Sequence, residues 1–126
     1  MTSTTLQKDI DKLVIKELKD YRALQVQLVN RKEQEKEGIK NLFQTIRKSL
    51  QEKEYKNKEN NIKVKQMERA LNLLDNIERQ IIEMKFLGPC KHTDMFIYEE
   101  LGLTKTMYYE KKKEAMSQLA RALGIE

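Results

Sequence analysis

The chain has 126 residues, 36% of them charged and 39% hydrophobic, with no Trp, one Pro and four Gly. So few turn-forming residues argue against a sheet protein, and the abundance of Lys, Glu, Leu and Gln favours long helices, so an all-α fold is expected. The net charge of +5 divides as +4 over residues 1–61, +1 over 62–87 and 0 over 88–126, which excludes a polycationic tail and leaves any nucleic-acid contact to locally placed charge.

The first predicted element is an amphipathic helix from just after Thr5 to somewhere in 31–37. Its apolar stripe is Leu6, Ile10, Leu13, Val14, Leu18, Tyr21, Leu24, Leu28 and Val29, opposite a basic face of Lys8, Lys12, Lys16, Lys19 and Arg22. Such a stripe needs covering, by the rest of the chain or by a second copy. Gly38 is the expected stop. Ile39, Leu42, Phe43, Ile46 and Leu50 have the spacing of a second amphipathic helix. The polar run Tyr55-Lys56-Asn57-Lys58-Glu59-Asn60-Asn61 then reads as a linker, since several of its residues favour helix poorly. The division expected is an N-terminal helical region (1–55) able to support a homodimer, a linker (56–61) and a C-terminal domain (62–126).

Val64, Met67, Leu71 and Leu74 resume helical spacing, and Asp75-Asn76 offers an N-cap for a helix using Ile77, Ile81, Ile82, Met84 and Phe86. That helix should end at Gly88-Pro89, with the glycine in a left-handed cap. Thr93-Asp94 starts a short helix with Phe96, Ile97 and Leu101 as apolar positions, Gly102 ends it, Leu103 packs back, and Thr104 caps a last helix reaching about Leu123.

The stretch from Asp94 to Leu119 thus has the pattern of a helix-turn-helix. Gly102 supplies a positive φ, Leu103 pins the turn, and Thr104 satisfies orphan N–H groups of the second helix. This leaves the start of that helix protruding, the geometry that enters a major groove. Lys105, Thr106, Tyr109, Lys112 and Lys113 are expected outside, with Tyr108, Ala115, Met116 and Leu119 inside. Residues 105–113 hold four lysines and one glutamate, a local +3 suited to phosphates.

Three segments, 74–82 (LDNIERQII), 98–104 (YEELGLT) and 108–115 (YYEKKKEA), resemble the C-terminal module of the ArpU-like transcriptional regulators. These are phage and prophage proteins of Gram-positive bacteria, related to the fourth region of bacterial sigma factors. Residues 12–22 (KLVIKELKDYR) look like that family's opening helix. The resemblance covers about half the chain, leaves 33–61 unmatched, and rests most on the Tyr108-Tyr109 pair before the lysine run. It implies that Lys105, Thr106, Met107, Tyr109 and Glu110 face bases and that Lys112 and Lys113 face phosphates. Tyr108 falls at a packed position, with its hydroxyl expected at the rim. Lys111 falls at a usually apolar one, with its stem expected along the core and its ammonium outside. The function implied is a sequence-specific regulator that binds double-stranded DNA, with late genes as expected targets. The helix from Asn76 to Leu87 would touch RNA polymerase, as its sigma counterpart does.

Other chemistries are weakly supported. One Cys and one His, Cys90 and His92, fall short of the three or four ligands a zinc site needs, so no metal or cofactor is expected. Neither a Gly-rich phosphate loop nor converging carboxylates point to an enzyme. A single cysteine and an opening Met1–Thr5 without the features of a secretion signal suit a cytoplasmic protein. The basic face of the first helix is interleaved with Asp9, Asp11, Glu17 and Asp20, and its apolar face lacks Trp and Phe, which disfavours a membrane surface. The alternatives to a regulator are a small terminase-type DNA-packaging protein and a protein-interaction module whose last helix binds another helix.

Overall fold

The computed structural model describes residues 3–39, 42–43 and 49–126. Its order is α1 (Ser3–Lys36), α2 (Leu50–Leu71), α3 (Asn76–Ile82) continuing as one π-helical turn (Glu83–Leu87), α4 (Asp94–Glu100) and α5 (Lys105–Ala122). The all-α expectation holds, with no strand among the described residues. The second amphipathic helix expected over 39–50 lies mostly outside the described residues, and Ile39, Leu42 and Phe43 are not helical.

Helix boundaries follow local chemistry. Ser49, Asp75, Thr93 and Thr104 are N-caps whose side chains each accept a backbone N–H three residues on. Asp75 and Glu78 complete a capping box. Gly38 stops α1 at φ 71°. The left-handed cap expected at Gly88 does not form: its φ of −77° and ψ of 161° are extended. Pro89 explains this, because its ring restricts the preceding residue to that region.

The expected linker at 56–61 is helix, in the middle of α2. Tertiary bonds override weak propensity there. Asn60, only 8% exposed, donates from Nδ2 to Gln27 Oε1 at 3.2 Å, and Arg31 donates to Asn61 Oδ1 at 2.6 Å. Both ties run to α1, so the segment joins rather than separates the two halves.

The main core unites Val14, Leu18 and Tyr21 of α1 with Val64, Met67, Ala70 and Leu71 of α2, Ile82 of α3, and Ala115, Met116, Leu119 and Ala120 of α5. The stripe on α1 is therefore covered by the chain itself in its middle, while Leu6, Leu13 and Val29 stay more than half exposed. A smaller core holds Ile81, Ile97 and Tyr108. Adjacent isoleucines of α3 point about 100° apart, so Ile82 joins one core and Ile81 the other. The π-helical turn after them sends Met84 to the small core and Phe86 and Leu87 to the main one.

Candidate nucleic-acid interface

The small core joins α3, α4 and α5 beside the turn that leads from α4 into α5. Thr93 Oγ1 accepts the Phe96 N–H at 3.1 Å to start α4. The helix ends in a Schellman turn: the Leu103 N–H donates to Tyr98 O at 2.8 Å and the Gly102 N–H to Glu99 O at 3.1 Å. Gly102 has φ 69°, where a side chain would be strained. Leu103 and Tyr98 both pack on the small core, and Thr104 Oγ1 then accepts the Met107 N–H at 3.2 Å to open α5.

The inner side of α5 is closed. Tyr108, Ala115 and Leu119 are fully buried, and Met116 nearly so. Glu78 of α3 holds the far half, accepting from Gln118 Nε2 at 3.0 Å. The outer side of the first turns is open, as expected: Lys105, Thr106, Met107, Tyr109, Glu110 and Lys113 are all exposed. Among the described residues, no ion pair engages Lys105 or Lys113.

Two of the four lysines are not free cations. Lys111 Nζ lies at the surface, as expected of a snorkelling side chain, but pairs with Asp75 Oδ2 at 2.8 Å. That bond raises the lysine's pKa. The Glu78 backbone N–H, and then the same lysine, hold the Asp75 carboxyl below its usual value. Lys112, expected on the phosphate-facing surface, is 22% exposed and lies 3.1 Å from Asp94 Oδ1. Its ammonium is also 5.9 Å from the ring centres of both Tyr108 and Tyr109. The uncompensated charge over 105–113 is thus lower than the +3 counted from sequence.

The Tyr108 hydroxyl was expected at the rim and is not there. The whole side chain is buried, and the hydroxyl donates to Asp94 Oδ1 at 2.5 Å. Burial and then the neighbouring carboxylate push the phenol pKa far up, so it stays protonated. The first turn of α4 closes over the ring, which the sequence spacing could not reveal. Asp94 and Asp75 are the residues sequence reasoning missed as neighbours of α5. Each was legible as a helix-starting residue, but their lysine partners lie 18 and 36 positions away.

His92 stacks on Phe96 with centroids 4.6 Å apart, and Cys90 is exposed. Among the described residues, no group of three His, Cys, Asp or Glu side chains could hold a metal ion, and no helix is long and apolar enough to cross a membrane. Comparison with protein-family models, curated proteins and solved structures gave no match.

Proposed function

We propose that this chain is a sequence-specific regulator that binds double-stranded DNA through the start of α5, of the phage or prophage kind its motifs resemble, with late genes as targets. One observation carries the reading. The first turns of α5 present Lys105, Thr106, Met107, Tyr109 and Glu110 outward on a helix whose opposite side is locked into two cores. A protruding helix start held this rigidly suits major-groove readout. Selection of bound fragments from phage and host DNA, followed by gel shifts, tests it. Lys105→Ala and Tyr109→Ala should each lose roughly 1–3 kcal/mol on the selected site and relax base preference. Failure of the native chain to bind any fragment at about 50 mM salt rejects the reading.

A homodimer is part of this proposal. The apolar stripe of α1 leaves Leu6, Leu13 and Val29 more than half exposed, a surface that a second copy would cover. Light scattering checks it, and a large ring would instead favour the terminase-type alternative. A contact between residues 76–87 and RNA polymerase rests on the resemblance alone; co-purification tests it.

A further inference from the structure

Two hydrogen bonds and a second cation converge on one oxygen of Asp94. Oδ1 accepts from the Tyr108 hydroxyl at 2.5 Å and from Lys112 Nζ at 3.1 Å, and Lys85 Nζ, which donates to His92 O at 3.2 Å, forms an ion pair with it at 3.4 Å. The carboxylate opens α4, where the helix dipole favours negative charge. Burial raises its pKa, but the hydrogen bonds from Tyr108 and Lys112 and the charges of Lys112 and Lys85 outweigh that, so it stays ionised. Lys112 is held on several sides, by this carboxylate and by the rings of Tyr108 and Tyr109. Its neighbour Lys113 is exposed and unpaired among the described residues.

Phosphate contacts supply most affinity for DNA of any sequence. An ammonium that must first leave a partly buried ion pair contributes less of it. Building a repulsive or withheld element against the wrong partner is one way to gain specificity.

Resting on the DNA-binding reading, we propose that Asp94 is a positioning residue: an internal counter-ion that withholds Lys112 from DNA phosphates and so limits binding to non-cognate duplex. Only a duplex whose base edges engage Lys105, Thr106 and Tyr109 then binds tightly.

The test compares the native chain with Asp94→Asn and Asp94→Ser. Both variants are neutral; Asp94→Asn keeps an oxygen at the reach of Oδ1 to accept from the Tyr108 hydroxyl, and Asp94→Ser removes the charge with a shorter side chain. The probes are a random-sequence duplex and the fragment selected by the native chain, titrated over a range of salt. For the random duplex, both variants should bind several-fold more tightly. The plot of log affinity against log salt should steepen by about one. The ratio of selected to random affinity should fall. Lys112→Ala should lose more affinity in the Asp94→Asn background than in the native one, which a merely structural aspartate would not produce. Unchanged or shallower salt dependence in folded variants overturns the proposal, as does failure of both neutral variants to fold. If the native chain binds no duplex at about 50 mM salt, the DNA reading itself fails; if the native chain binds and the variants behave as it does, only the counter-ion role fails.

Discussion

Glu78 of α3 and Gln118 of α5 are hydrogen-bonded at 3.0 Å in a place where the glutamate is only 3% exposed. The same carboxylate accepts the Asp75 N–H through its other oxygen at 2.9 Å. One side chain therefore caps α3 and ties it to α5. Glu78→Ala should destabilise the fold by about 1–3 kcal/mol, since it removes the reciprocal cap and leaves the Gln118 amide short of a partner. Glu78→Gln should lose less, because an amide oxygen can still cap α3 and Gln118 can flip to accept. Denaturant unfolding of the two variants decides this; equal losses would contradict it.

Gly102 and Gly88 should respond unequally to alanine. At Gly102 a Cβ meets nothing within 4 Å, but φ is 69°, so Gly102→Ala should lose about 1–2 kcal/mol from backbone strain alone. At Gly88 the backbone is ordinary and a Cβ would sit 3.4 Å from Glu83 O. Gly88→Ala should therefore be the milder change. Thermal melts of both variants provide the check.

The helical state of 56–61 is open to a proline test. Lys58 is exposed and interior to α2, so Lys58→Pro should cost about 3 kcal/mol or more by removing a helix bond and clashing with the preceding turn. A linker would accept proline with no loss. Circular dichroism melting distinguishes the two.

Acid should weaken the ties between α5 and its neighbours. The Asp75 and Asp94 carboxyls both titrate below their ordinary value of 3.8 in the folded chain. Their contributions are therefore complete above that value and fade as pH falls through the lower folded values. Lys111 titrates above 10.5, so its contribution is complete below that and fades as pH rises through the folded value. Unfolding free energy should fall below about pH 4, with a shallower fall in Asp94→Asn. An identical acid slope in that variant would show that Asp94 is not responsible.

Helix ends and the turn of the motif were determined by the sequence itself. Asp75, Thr93 and Thr104 cap the residues that follow them, and Gly38 and Gly102 adopt positive φ just past their helices. Capping and turn chemistry act within three or four residues, so they are visible in a linear string. The inner face of α5 was legible for the same reason, from 3.6-residue periodicity. Tertiary structure decided what local preference could not. The run 56–61 became helix because α1 supplies hydrogen bonds to Asn60 and Asn61, and propensity differences of a few tenths of a kcal/mol per residue yield to such partners. The charge of α5 was likewise settled from afar, since Asp75 and Asp94 reach Lys111 and Lys112 only when packing brings α3 and α4 against α5. Coulomb attraction depends on distance in space and not along the chain, so these pairings exist only in the folded molecule.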